Sequence, residues 1–273
     1  MVSSKFFNRI KKPVAFALFI LLQLSIITFI LANEYCTLLE KGDALYRQFD
    51  NAAALEFYRQ ACQAAENNYE ALLKTTRAYN DLGEDCWETD KTQAEENFRL
   101  AVEHAEQLQQ QFPDSAKSYV YLATTYGNLA LFKGGKDKVK LARNLETNCQ
   151  KAIALNPARG MPYLILGIYY REVANLNWFL KTFAKAFYGG MPGGSNKDSE
   201  SMLLKAIELM PENLDAHYQL AWAYKKMKQR EKAIAYLKNV IELPISDHRD
   251  FRRKELAENL LADWDILAEK QGG

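Results

Sequence analysis

Histidine and cysteine are the first side chains to consider for chemistry, and their spacing argues against a catalytic or metal centre. The three histidines, His104, His217 and His248, lie far apart in the sequence. None has a cysteine or carboxylate companion at the separation that metal ligands require. The cysteines form no CxxC pair. We therefore predict no enzyme activity, no metal and no cofactor.

Two glycine-rich stretches also fail as phosphate-binding loops. The run Lys133-Gly134-Gly135-Lys136 resembles the end of such a loop, but Ala130 replaces the required upstream glycine. Asp137 stands where a serine or threonine must bind magnesium. The cluster at 189–194 contains no lysine and predicts a turn. The net charge of +1 gives no basic excess, which argues against nucleic-acid binding.

The four cysteines leave two interpretations open. An even number in an exported protein permits disulfides. Cys36 and Cys62 are expected at the same level of one helix hairpin, whereas small, buried, unpaired thiols are the alternative. The four are Cys36, Cys62, Cys86 and Cys149.

The elements that carry these residues are predicted to be helices, because Ala, Leu, Glu, Lys and Gln dominate and no strand-like alternation occurs. A pattern of small and large residues, such as Leu220, Ala221, Tyr224 and then Ala233, repeats along the chain. It is typical of tetratricopeptide (TPR) hairpins of roughly 34 residues. The predicted fold is an all-α, TPR-like right-handed superhelical array of about five helix hairpins in residues 34–246.

The fourth hairpin, Gly160 to Pro211, is predicted to be elongated. It is about twenty residues longer than a standard repeat. Because only Gly167 interrupts Tyr163–Ala186, we expect one helix there, about 36 Å long at roughly 1.5 Å per residue. Shorter insertions occur near 83–90 and 129–141.

An apolar stripe follows on the extended part of that helix. We expect it to pack on the extension of the third hairpin, with Phe179 and Phe183 largely buried. The alternative is an exposed docking face or a lipid pocket. The stripe consists of Leu176, Phe179, Leu180, Phe183 and Phe187.

The repeat register also predicts a binding groove on the concave side. Guanidinium, amide and aromatic groups there suit a peptide or helix of a protein partner, or an acidic headgroup. The alternative is that these residues merely solvate the groove. They are Arg77, Asn80, Thr124, Asn128, Arg171, Tyr218, Trp222, Lys225 and Lys226.

Both ends of the chain differ from the array. Residues 1–33 contain four basic residues followed by the uncharged run Pro13–Asn33, long enough for a membrane anchor and alternatively a cleaved signal or a buried helix. Basic residues before the run favour a body on the extracytoplasmic, periplasmic side. Residues 247–273 are predicted to form a capping helix and tail, with the basic cluster Arg249, Arg252, Arg253 and Lys254 exposed to solvent.

The fourth hairpin carries a family resemblance. Leu166-Gly167, Val173 to Trp178 and Ala184 to Tyr188 with the following glycine-proline turn resemble the regulator of microtubule dynamics family. The resemblance implies a helical-repeat adaptor, often membrane-anchored, with lipid binding in one branch and no catalysis. The chain is also similar to bacterial exported TPR proteins, including the T component of TRAP transporters. For the location of the protein body, the alternative to the periplasmic side is the cytoplasmic face of a membrane.

We therefore expect a non-enzymatic, membrane-tethered or exported scaffold that binds a protein partner in its groove. The alternative function is a lipid- or small-ligand-binding repeat protein, for lipid transfer or as a transporter accessory.

Overall fold

The structure is a computed structural model that describes Gln23 and residues 34–65, 68–189 and 194–272. The described ranges consist of helices joined by turns and contain no strand, which confirms the predicted all-α fold. Residues 13–33 lie outside these ranges apart from Gln23, so the anchor or signal stays a prediction. Among the described helices, none combines the length and apolarity that a bilayer crossing requires.

The helices form consecutive hairpins, and the chain divides into two compact units, Met1–Thr75 and Thr76–Gly273, with the boundary inside α3. The helices are α1 (34–46), α2 (Asn51–Ala64), α3 (Tyr69–Asp85), α4 (Lys91–Gln111), α5 (Ala116–Lys133), α6 (Gly135–Leu155), α7 (Gly160–Ala174), α8 (Trp178–Tyr188), α9 (Asn196–Leu209), α10 (Leu214–Lys226), α11 (Arg230–Glu242) and α12 (Asp250–Gly272).

The first unit is organised around Tyr58 of α2, which is fully buried. A Cβ at Gly42 of α1 would lie 2.4 Å from the Tyr58 ring, so only glycine allows this approach. The Tyr58 hydroxyl donates to Asp43 at 2.9 Å, and Lys74 of α3 donates to the same carboxylate at 2.7 Å. The small and large residues of the repeat pattern thus meet as the sequence predicts.

In the second unit, α5 pairs with α6, α7 with α9, and α10 with α11. One apolar core lies among α5, α6 and α7 around Cys149 and Tyr169. A second lies among α7, α9, α10 and α11 around Leu203 and Leu220. Each hairpin therefore buries its apolar face against the next, as stacked repeats must.

The predicted single helix over Tyr163–Ala186 is wrong, because α7 ends at Ala174 and α8 begins at Trp178. The side chain of Asn175 donates to the Arg171 carbonyl oxygen at 2.7 Å, which closes the end of α7. Asn177 accepts from the Leu180 backbone N–H at 2.9 Å and caps the start of α8. Asparagine favours such capping positions over helix interiors, so local polar bonds override the apolar periodicity.

The other two insertions lengthen the second and third hairpins. Trp87, after α3, packs edge-on against Phe98 of α4 and Phe132 of α5. The break between α5 and α6 is a single residue, Gly134, with φ of 65°. The two insertions therefore lengthen the helices of their hairpins beyond the ordinary repeat, and Trp87 packs between them.

Helix α12 covers the last hairpin. Ala257 is fully buried, and Leu260, Leu261 and Trp264 pack against α10 and α11. Leu256, one turn before Leu260, is exposed.

Candidate functional site

Four predicted groove residues lie on α3 and α5, where the structure brings two of them into contact. The Asn128 amide donates to the Asn80 side-chain oxygen at 3.0 Å and also bonds to Glu84. The Thr124 hydroxyl donates to the Val120 carbonyl of its own helix at 2.9 Å. Asn80, Thr124 and Asn128 therefore already have hydrogen-bond partners within the unit. The fourth, Arg77, lies half-buried on α3.

Arg171 of α7 connects two helices. Its Nη1 donates to the Gln219 side-chain oxygen at 2.7 Å and to the Gln219 backbone carbonyl at 3.2 Å. Nη2 lies 3.5 Å from Glu172. Because its donors are directed into α10 and its side chain is largely covered, Arg171 joins α7 to α10.

Residues 247–253 approach the same region from the other end of the chain, and the sequence analysis missed this. Arg249 pairs with Glu84 of α3, and its Nε donates to Asp247 at 2.7 Å. Arg253 lies 2.9 Å from Asp215 of α10. The prediction that Arg249 and Arg253 are solvent-exposed is therefore wrong, since both cations are held by carboxylates from helices distant in sequence.

His248 belongs to this charged cluster and has carboxylate companions that its sequence neighbourhood does not reveal. Its Nε2 lies 3.1 Å from Asp85, and Nδ1 lies 3.5 Å from Asp247. Burial opposes its protonation, but the hydrogen bond to Asp85 and the charges of Asp81 and Asp247 raise the pKa of His248 above 6.5. When protonated, the imidazolium adds a charge-assisted contact between α3 and the start of α12.

The pKa values of Asp247 and Arg249, at the centre of the cluster, are shifted toward their charged forms. Burial opposes ionisation of Asp247, yet Arg249 and Arg253 hold its pKa well below the ordinary 3.8. Burial likewise opposes the Arg249 charge, but Glu84 and Asp247 raise the pKa of the guanidinium well above its ordinary value. Burial raises the pKa of Glu84, the partner of Arg249, although the charges of Arg249 and Arg253 oppose that shift. Among the described residues no His, Cys, Asp or Glu group is arranged to hold a metal.

The remaining predicted groove residues form a patch on α10. The Lys225 ammonium lies 4.2 Å from the Trp222 ring centroid, and Tyr218 meets Trp222 edge-on at 6.3 Å. Trp222 and Lys225 are half-buried, and Lys226 is exposed. The predicted groove set is therefore divided between an internally paired part and this accessible aromatic and basic patch.

A cavity of about 120 Å³ lies between α5, α6 and α7. Its wall is mainly apolar, and Arg249 and Asp215 of the charged cluster are among the lining residues. An enclosed apolar cavity of about 150 Å³ stays dry and binds benzene or xenon. The apolar lining includes Ala123, Ala130, Leu131, Val139, Ala142, Leu145, Leu164, Ile165, Ile168, Val173 and Leu176.

The polar residues of the cavity lining are already paired. Lys138 donates to Glu172, and Arg249 and Asp215 belong to the cluster described above. Thr124 and Asn128, two predicted groove residues, complete the polar edge. With its cations paired to carboxylates, the site is suited to recognise an apolar group by shape.

The apolar stripe divides between the cavity and the surface. Leu176 lines the cavity, and Leu180 and Phe183 are half-buried. The expectation that Phe179 is buried is wrong, because 54 % of it is exposed, and Phe187 is exposed as well. The separate helix α8 contacts α6, but it presents these rings outward.

All four cysteines are free thiols. Cys149 is fully buried in the core beside the cavity, and burial raises the pKa of its thiol. A protonated, enclosed thiol is a small apolar packing group. Cys62 lies 3.4 Å from the Thr75 hydroxyl, and Cys36 is exposed.

Comparison with known proteins identifies relatives along most of the chain. The family described as regulator of microtubule dynamics protein 1-3 matches residues 38–265. Regulator of microtubule dynamics protein 3 of Xenopus laevis is 26% identical over 238 residues, 84% of this chain and 50% of that protein. Protein 1 of Bos taurus is 23% identical over 227 residues, 82% of this chain and 70% of that protein. The chain thus spans about half the length of the first relative.

A solved structure supports the fold. A thermophilic TPR protein of Thermus thermophilus superimposes with a TM-score of 0.60 at 20% identity, over 82% of this chain and 98% of that one. The TPR-like fold predicted from the sequence is therefore confirmed.

Proposed function

The chain belongs to the regulator of microtubule dynamics protein 1-3 family, and we propose that it is a non-enzymatic binding protein whose cavity holds the hydrocarbon chain of a lipid. The observation that carries this proposal is the apolar cavity between α5, α6 and α7. A stacked repeat normally fills such space with side chains, because protein interiors are close-packed. Here the space remains open.

The lining supports a hydrocarbon ligand over a free anion. Binding an anion requires a cation without a partner, but Lys138 and Arg249 at the cavity are paired with Glu172 and Glu84. A hydrocarbon chain needs only apolar contacts, and each buried methylene contributes about 0.8 kcal/mol. The volume matches part of a chain, so the rest of the ligand lies toward the open side.

Filling the cavity tests this proposal. Ile168 lines the cavity, whereas Ile207 packs against the same core and is not part of the cavity wall. Both are half-buried, so Ile168→Trp and Ile207→Trp are a matched pair. The ligand is cis-parinaric acid, a fatty acid whose fluorescence rises in apolar surroundings.

The wild type and Ile207→Trp should bind this fatty acid saturably. Ile168→Trp should bind at least about tenfold more weakly, which corresponds to 1.4 kcal/mol. Equal affinity in the three proteins, at unchanged melting temperature, would show that the ligand does not enter the cavity.

The α10 patch favours a second candidate function, protein binding. TPR-like arrays use extended surfaces of this kind to bind partners. Trp222 with Lys225 above its ring is a half-exposed aromatic and basic pair suited to an acidic peptide. Trp222→Ala with Lys225→Ala should abolish capture of such a partner, whereas Lys238→Ala on α11 should not. If the doubly substituted protein still captured the partner, the α10 patch would not be the binding site.

A further inference from the structure

Helix α8 presents large apolar side chains to solvent. Trp178 is 78% exposed, and the adjacent Phe179 is 54% exposed. Phe187 is 71% exposed but lies on the opposite side of the helix from Trp178, where its ring packs against that of Phe183. Three exposed rings on an eleven-residue helix exceed the scattered apolar residues that an ordinary surface carries. This concentration indicates a surface that another apolar phase covers.

The helix is fixed to the unit from its inner side. Ala184 is buried, and Leu180 and Phe183 are half-buried. The Lys136 ammonium of α6 lies 5.5 Å from the Phe179 ring centroid and 5.1 Å from that of Phe183. Trp178 therefore projects from a helix that is anchored on its inner side.

The surroundings of these rings are strongly basic. Residues 133–140 and α8 together contain six lysines and one carboxylate, Asp137. Lys133 and Lys138 are paired with Glu95 and Glu172. Four lysines, two on α6 and two on α8, supply the remaining positive charge. They are Lys136, Lys140, Lys181 and Lys185.

We infer that α8 docks on the surface of an anionic lipid bilayer, with Trp178 and the edge of Phe179 at the depth of the headgroups and upper acyl chains. Trp178 shares its side of α8 with Lys181 and Lys185, and α8 contains no acidic residue, which fits this interface. Lysine side chains reach headgroups while their stems cover apolar surface. Each lysine near an anionic surface adds to the attraction.

Docking through α8 is a separate property from hydrocarbon binding in the cavity. Leu176, two residues before Trp178, lines the cavity, so docking would also bring the cavity close to lipid. A protein partner is less suited to the patch, because it would need a concave apolar surface ringed by carboxylates.

The test measures contact between Trp178 and acyl chains in the full chain. Vesicles contain phosphatidylcholine brominated on its acyl chains, with or without phosphatidylserine, and bromine quenches a tryptophan that reaches it. The quenching lost in Trp178→Phe isolates the contribution of Trp178. Because the readout is one ring, vesicle binding by another segment does not produce it. Trp222→Phe, on α10, is the matched control.

The inference predicts quenching of Trp178 on phosphatidylserine vesicles that is retained in Trp222→Phe. Lys181→Glu with Lys185→Glu should raise the vesicle concentration for half-maximal quenching at least about tenfold. Absent quenching of Trp178, equal quenching on both types of vesicle, or quenching confined to Trp222 would each overturn the inference. Failure here leaves fatty-acid binding in the cavity unaffected, so the two proposals are separable.

Discussion

Replacing Arg249 with methionine removes the cation that connects the start of α12 to α3. The guanidinium pairs with Glu84 and donates to Asp247 at 2.7 Å. Methionine keeps much of the apolar stem and leaves both carboxylates without this partner. The perturbation therefore tests whether the contact between residues 247–253 and α3 stabilises the second unit.

The structure sets the expected magnitude. Removing one partner of a buried ion pair costs about 3–5 kcal/mol. Glu84 is 10% exposed but Arg249 is 33% exposed, so water screens part of the interaction. We expect about 3 kcal/mol, the lower end of that range. At about 2–4 °C for each kcal/mol in a unit of this size, the melting temperature should fall by about 6–12 °C.

The assay is thermal unfolding of the full chain, followed by the circular dichroism of its helices. Arg252→Met is the control, because Arg252 is 64% exposed and lies 3.9 Å from Glu88. Exposed pairs contribute at most about 1 kcal/mol. Glu84→Gln should restore part of the stability lost in Arg249→Met, since a neutral amide leaves no buried charge behind. Identical melting of Arg249→Met and Arg252→Met would refute the reasoning.

Two further predictions concern charge and packing. The raised pKa of His248 means that the imidazolium stabilises the folded state below pH 6.5 and that this stabilisation is lost as pH rises through the folded pKa. The melting difference between the wild type and His248→Gln should therefore shrink at higher pH, and a pH-independent difference would contradict this. Gly167→Ala places a Cβ 2.5 Å from Leu203 Cγ and should cost about 1–3 kcal/mol in denaturant unfolding. Gly127→Ala meets only the end of Leu145, at 3.1 Å, and should be nearly neutral; equal effects would show that the crossing tolerates a methyl group.

The helix pairs could be predicted from the sequence because each depends on local residue types. Gly42 against Tyr58, and Gly167 against Leu203, are close crossings that only small residues permit. Their recurrence at TPR spacing predicts the hairpins without knowledge of distant contacts. The elongated fourth hairpin also follows from its length, although its extra residues form a separate helix.

The break before α8 had a signal in the sequence that apolar periodicity concealed. Asn175 and Asn177 flank Leu176, and asparagine caps helices more readily than it continues them. If those two asparagines are given more weight than the apolar stripe, the sequence predicts that the helix ends there. With the break, the expected packing of the stripe changes, and Phe179 becomes exposed.

The charged cluster could not be predicted from local patterns. Arg249 and Glu84 are 165 positions apart, and their meeting depends on the summed geometry of the intervening hairpins. Complementary charge was visible, since acidic Glu84 and Asp85 end α3 and basic residues begin α12. Pairing them required the three-dimensional path of the chain. The cavity likewise arises from unfilled space between helices, which sequence does not specify.

Native mass spectrometry of the purified full chain tests most directly whether the cavity holds a hydrocarbon chain. The account predicts a bound lipid mass on the wild type and on Ile207→Trp that is missing from Ile168→Trp. Comparing the two tryptophan variants separates lipid in the cavity from lipid held elsewhere on the chain. An unliganded mass for the wild type in repeated preparations, or the same bound lipid on Ile168→Trp, would contradict the account.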